Sequence, residues 1–163
     1  MDHQPKIALF PGTFDPLTLG HLNIIDRVSR LFDEVIVLVA VNTSKKHLFS
    51  VDERIRLIYE NIKEYNNVRI DTLTDGLVAT YYQQHHASTI VRGVRNSTDF
   101  DYEFTIASGN ARQGKNIETM ILYAADEYRF LSSSLIKEIA YFKGDIHDMV
   151  PENVRIAMEA KFK

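Results

Sequence analysis

The feature that most constrains the fold is a run of seven consecutive apolar residues, Val35-Ile36-Val37-Leu38-Val39-Ala40-Val41. A strand with one wet face alternates apolar and polar residues. A strand that is apolar and mostly β-branched at every position must be covered on both faces, as in the middle of a parallel sheet. The neighbouring segments fit that frame. An apolar strand from Ile7 ends at Pro11-Gly12, and further strands are expected over Val68–Leu73, over Thr89-Ile90-Val91 ending at Arg92-Gly93, and over Glu118–Tyr123. Between them lie helical patterns. One opens at Gly20-His21, with Leu22, Ile25, Val28 and either Leu31 or Phe32 on one face. A second follows the capping box Ser50-x-x-Glu53, with Ile55, Ile58 and Ile62 in register. Further helices are expected over Leu77–His86 after Gly76, over Asp99–Ala111, and from the Ser132-Ser133-Ser134 cap to Lys143 with Gly144 as its C′ stop. A final helix carries Pro151 in its first turn. Strands alternating with helices predict an α/β architecture, a doubly wound parallel sheet. Residues 1–163 contain no repeat, linker or low-complexity tract and form one expected domain, with 1–6 as a loose polar lead-in.

Composition narrows the function classes. A net charge of −3 argues against a general nucleic-acid binder. The absence of cysteine excludes disulfides, thiolate catalysis and cysteine-based zinc sites. The Val35–Val41 run is too short to cross a bilayer and no charged-then-apolar leader precedes Ile7, so the expected location is the cytoplasm, with no membrane partner.

In open sheets of this kind, ligands bind beyond the carboxyl ends of the strands. The polar candidates gather there: Thr13 and His21 after the first strand, Lys45 after the second, Arg92 and Arg95 after the fourth. A glycine-containing loop leading into a helix N-terminus offers outward N–H groups and partial positive charge to a phosphate. The two guanidiniums of Arg92-Gly93-Val94-Arg95 can make bidentate bonds to phosphate oxygens, and Gly93 lets backbone approach a ligand. Lys45-Lys46 reads as a solvated turn or a phosphate contact. In the serine triplet one serine is an N-cap, and the free N–H groups beside it can take an anion. Three other patterns carry no chemistry. Gly109–Asn116 nearly spells a P-loop but has Asn where magnesium needs Ser or Thr, and follows a helix instead of a strand. Ser134-Leu135-Ile136-Lys137 lacks the partner motifs of penicillin-recognising enzymes. His85-His86, adjacent on a helix, point in different directions.

Gly12-Thr13-Phe14-Asp15-Pro16 followed by Thr18-Leu19-Gly20-His21 resembles the signature of the nucleotidyltransferase superfamily, the (T/H)-x-G-H proteins. With Arg92-Gly93-x-Arg95…Asp99-Phe100-x-Tyr102-Glu103 and Tyr128-Arg129-Phe130-Leu131-Ser132-Ser133-Ser134, the resemblance is to the bacterial phosphopantetheine adenylyltransferases, over nearly the whole chain. It implies a Rossmann-like fold and transfer of adenylyl from ATP to 4′-phosphopantetheine, giving dephospho-coenzyme A and pyrophosphate. It implies ATP contacts at Thr13, Phe14, His21, Gly93, Val94, Arg95, Glu103 and residues Tyr128, Arg129, Phe130, Leu131, Ser132, Ser133 and Ser134. Arg129 replaces the family's small polar residue. Substrate contacts are implied at Thr13, Lys45 in preference to Lys46, Arg92, and Val78 with Leu77 as the alternative register. The catalytic set is then His21, Thr13, Lys45 and Arg95. Magnesium would accompany the triphosphate, held mainly by phosphates and water because carboxylates are not grouped, and a homohexamer and feedback by coenzyme A are implied by the family. The alternatives are a related nucleotidyltransferase acting on a nicotinate nucleotide or cytidylyl acceptor, and a non-catalytic adenine-nucleotide sensor. A fragment of a class I aminoacyl-tRNA synthetase is disfavoured, because no tRNA-binding domain is present.

Overall fold

A computed structural model of the chain describes residues 4–41 and 46–163. Lys45 lies outside the described residues. In chain order the elements are β1 (Ile7–Gly12), α1 (Leu19–Ser29), β2 (Glu34–Ala40), α2 (Val51–Ile62), β3 (Val68–Leu73), α3 (Val78–Gln84), β4 (Thr89–Val94), α4 (Ser97–Ala111), β5 (Thr119–Tyr123), α5 (Ser133–Tyr141) and α6 (Glu152–Lys161), with a single 3₁₀ turn at Asp126–Tyr128.

The five strands form one parallel sheet in the order β3-β2-β1-β4-β5. Alternate β2 residues feed two separate apolar clusters, as an all-apolar strand requires. Val35, Val37 and Val39 join Ile24, Ile25 and Val28 of α1, Leu57 and Ile58 of α2, Ile136 of α5 and Met158 of α6. Ile36 and Leu38 face the other way, with Leu9 of β1 and Ala79, Tyr81 and Tyr82 of α3. α1 ends at Ser29, before either candidate for the end of its face; in the turn that follows, Phe32 packs partly against the core while Leu31 is exposed. Among the described residues no helix is long and apolar enough to cross a membrane.

The chain winds outward from β1 through β2 to β3 and then returns to place β4 on the other flank of β1. That reversal positions the site. β1 pairs with β2 at six positions from Ile7↔Glu34 to Gly12↔Val39, but with β4 only at Ala8↔Thr89 and Leu9↔Ile90. The carboxyl halves of β1 and β4 therefore part, opening a crevice at the switch point of the sheet.

Several boundaries differ from the sequence expectation. β4 continues to Val94, so Arg92 and Gly93 lie in the strand. α1 starts at Leu19, because Thr18 caps it. α5 stops at Tyr141, and the left-handed residue after it is Lys143 (φ 63°), not Gly144. Lys143 N–H donates to the Ala140 carbonyl at 3.0 Å and Gly144 N–H to the Ile139 carbonyl at 2.8 Å, so Gly144 is the second residue of the stop. Pro151 caps α6 with extended backbone (ψ 154°) and is not its first helical residue.

Candidate active site

A cleft of about 520 Å³ lies over the crevice between β1 and β4. The β1–α1 loop and the start of α1 form one wall, the end of β4 and the first turns of α4 another, and residues 128–134 with α5 close it. It brings together Thr13, His21, Arg92, Gly93, Arg95, Glu103, Tyr128, Leu131 and the three serines, all candidates from the sequence. Asp15, Lys46 and Lys137 also line it.

His21 is the third helical residue of α1, the position a glutamate usually takes in a capping box. Its backbone N–H donates to Thr18 Oγ1 at 3.2 Å, and the Thr18 N–H donates to its ring Nδ1 at 3.0 Å. A nitrogen that accepts an N–H bond carries no proton itself, so the neutral ring holds its proton on Nε2. The Phe14 and His21 rings meet edge to face, with centroids 5.0 Å apart. Burial, with Arg92 and then Arg95 nearby, lowers the imidazole pKa from 6.5 to about 4. His21 is thus a neutral, oriented N–H donor on the wall of the cleft.

The two arginines are each anchored by a carboxylate. Arg92 donates from Nε and Nη2 to both oxygens of buried Glu103, at 2.9 and 2.8 Å, and from Nη1 to the Pro11 carbonyl. Arg95 holds Asp99 the same way, at 2.8 and 3.1 Å, and reaches the Leu131 carbonyl from Nη1 at 2.9 Å. That pair keeps the Asp99 carboxyl below the usual carboxylate range. Three of five N–H groups are committed in each guanidinium, leaving two apiece for a ligand. Glu103 therefore serves the site through Arg92, since both its oxygens are engaged.

On the opposite wall, Ser132 caps α5 by accepting from Leu135 N–H at 3.1 Å, and Ser133 Oγ donates to the Pro16 carbonyl at 3.0 Å. The N–H groups of Ser133 and Ser134, in the first turn, have no acceptor within the helix and sit beside the cleft. Lys137 follows Ser133 by four residues and so shares its face. Its Nζ lies 3.5 Å from Asp15 Oδ2, a carboxylate already accepting the Leu48 and Phe49 N–H groups at 2.8 and 2.9 Å.

A family profile described as cytidylyltransferase-like matches residues 9–139. The chain is 45% identical over 156 residues to the phosphopantetheine adenylyltransferase of Syntrophomonas wolfei, spanning 96% of both chains. It is 47% identical to that of Thermosynechococcus vestitus, across 96% of this chain and 92% of the relative. The chain belongs to the phosphopantetheine adenylyltransferase family. Solved structures share the fold at lower identity. A putative nicotinate-nucleotide adenylyltransferase from Vibrio parahaemolyticus superposes with a TM-score of 0.67 at 19% identity, over 96% of this chain and 93% of that one. A lipopolysaccharide core biosynthesis protein from Thermoplasma volcanium gives 0.57 at 23%, over 76% and 100%.

Not every residue suggested by the resemblance to the phosphopantetheine adenylyltransferase family falls in the cleft. Phe14 lines it, but its side chain is buried, packed edge-on to Phe10. Val94 and Arg129 line an adjoining groove with Phe100 and Tyr123, and Arg129 Nε donates to the Arg95 carbonyl at 3.3 Å. Phe130 is half exposed and lines neither. Val78 opens α3 and packs partly against the second apolar cluster, outside the cleft, and Leu77 beside it is exposed. Sequence reasoning missed Lys137 as a site residue, although its spacing from Ser133 places both on one helical face. It named Asp15 only as part of the signature motif, with no role of its own. It passed over Arg54, whose guanidinium holds the Thr13 carbonyl at 2.8 Å. Nothing in the local pattern separates Arg54 from a surface charge.

Proposed function

We propose that the chain transfers the adenylyl group of ATP to 4′-phosphopantetheine, releasing pyrophosphate and forming dephospho-coenzyme A, in coenzyme A biosynthesis. The observation that carries this reading is the neutral His21, its ring set by Thr18, in one cleft with two arginines that each keep two N–H groups for phosphate. The acceptor's phosphate oxygen attacks the α-phosphorus of ATP. The new P–O bond forms as the bond to the β-phosphate breaks, and pyrophosphate leaves. The nucleophile is already an anion, so no base need remove a proton. Alignment and charge neutralisation supply the rate. His21 donates Nε2–H to an α-phosphate oxygen as charge builds there, and the N-terminus of α1 adds to it. Thr13 and Arg92 orient the acceptor phosphate, with Lys45 as a further cation for it. Arg95 and the first turn of α5 take the leaving phosphates.

Magnesium, when bound, would screen the triphosphate. The carboxylates nearest the cleft are taken by Leu48 and Phe49 (Asp15), by Arg92 (Glu103) and by Arg95 (Asp99), which supports an ion carried by phosphates and water. A cytoplasmic location and assembly as a homohexamer belong to the same reading. The exposed aromatic side chains of α4 support a contact between copies. The test is pyrophosphate release from ATP with a panel of phosphate-bearing acceptors. Release with 4′-phosphopantetheine and not with nicotinate mononucleotide is expected. Preference for another acceptor overturns the substrate, and no release with any acceptor overturns the enzyme in favour of a nucleotide sensor.

A further inference from the structure

Arg54 is the most deeply buried cation among the described residues, 1% exposed in the first turns of α2. It has no carboxylate within ion-pair distance there. Its Nη1 donates to two backbone carbonyls, Thr13 at 2.8 Å and Ala40 at 3.0 Å, and its Nε has no partner. Burying a full charge on neutral acceptors, with Asp15 attracting it only from beyond ion-pair distance and one donor unsatisfied, costs stability that an apolar residue of similar volume would not. Packing alone gives no reason for an arginine here.

What the guanidinium touches gives the reason. The β1–β2 ladder ends at Gly12↔Val39; Thr13 is the first residue after β1, and Ala40 is the last residue of β2. Arg54 thus ties Thr13, which has left the sheet, to Ala40, which the β2–β3 pairing still holds at Leu73. Two residues on from Thr13, the buried carboxylate of Asp15 takes the Leu48 and Phe49 N–H groups that lead into α2. One cation and one anion therefore tie residues 13–15 to the entrance of α2, and Thr13 lines the cleft.

We propose that Arg54 is a positioning residue, holding the Thr13 backbone at the height where it meets the acceptor's phosphate. This rests on the function proposed above. A side chain held within a fraction of an ångström is worth rate, and a shift of about 1 Å in such a group can cost ~100-fold. The effect should fall mainly on the acceptor, because Thr13 orients its phosphate, while ATP, which the resemblance also sets against Thr13, keeps its contacts with Arg95 and the first turn of α5.

The experiment is steady-state kinetics of Arg54→Met and Arg54→Lys with both substrates varied, alongside thermal melting. Lysine keeps the charge, but its ammonium ends nearer the main chain than Nη1, the one nitrogen that holds both carbonyls, and it lacks the guanidinium plane that sets the directions of those two N–H groups. The expected result for both variants is a folded protein whose kcat/KM for the acceptor falls at least about tenfold while KM for ATP stays within about twofold. Folded variants with wild-type acceptor kinetics overturn the proposal. So do equal losses for both substrates, or variants too unstable to purify, since either marks a structural role. Wild-type turnover, measured in parallel, separates the two claims. Failure of the wild type to release pyrophosphate contradicts the function itself, and with it the role given to Arg54.

Discussion

His21 differs from a surface histidine in what it costs to charge it. Its pKa of about 4, against 6.5 unperturbed, means that the unfolded chain binds more protons than the folded one between those values. Stability contributed by keeping this ring neutral is whole above pH 6.5 and is lost as pH falls toward 4, up to about 3 kcal/mol at the limit. Melting temperatures of the wild type and His21→Gln at pH 7.5 and 4.5 read this directly. The wild type should fall further than the variant, and equal falls would remove the cause assigned to the shift. The same shift predicts that no His21 titration appears in kcat/KM, which reports the free enzyme, between pH 6 and 8. The ring was legible in the sequence as a helix-start histidine on a strand-to-helix loop. Its protonation was not, because that depends on Thr18, Arg92 and Arg95, which only the folded chain assembles around it.

At the scale of the element, α1 ties local stability to the site. Thr18 caps the helix and sets the imidazole with one set of bonds. Thr18→Ala should cost about 1 kcal/mol and lower the melting temperature by roughly 3 °C. It should also lower kcat, whereas Thr18→Ser should preserve both. Calorimetry and turnover on the two variants check this, and an Ala variant with full kcat would detach the cap from the chemistry. Elements whose sequence pattern matched their burial were legible. β2, apolar at every position, meets apolar clusters on both faces. The end of β4 was not legible, because Arg92 looks like a loop residue until Glu103 and the Pro11 carbonyl are there to receive it. The stop of α5 was misjudged by one residue because glycine is the usual left-handed residue, and here Lys143 takes that conformation. Arg54 was illegible for a different reason. The Asp52-Glu53-Arg54 stretch has the pattern of an exposed first turn, and only the Thr13 and Ala40 carbonyls, brought beside α2 by the fold, draw its third residue inside.

At the scale of the molecule, the helices divide the surface unevenly. Glu103 is the only buried residue of α4, and Tyr102 and Phe104 are 63% and 64% exposed. A helix with its aromatics outward is a surface waiting for another copy under the assembly proposed above. Phe104→Glu should therefore shift the mass measured by light scattering below that of the wild type. An unchanged mass would remove α4 from the interface. The central claim concerns a single phosphorus atom met by one neutral imidazole, and one comparison tests it most directly. Acceptor-dependent pyrophosphate release and ATP affinity are measured together for the wild type and His21→Ala. The account predicts that the variant loses kcat at least ~100-fold while its dissociation constant for ATP stays within about threefold. A variant that keeps most of its kcat contradicts it.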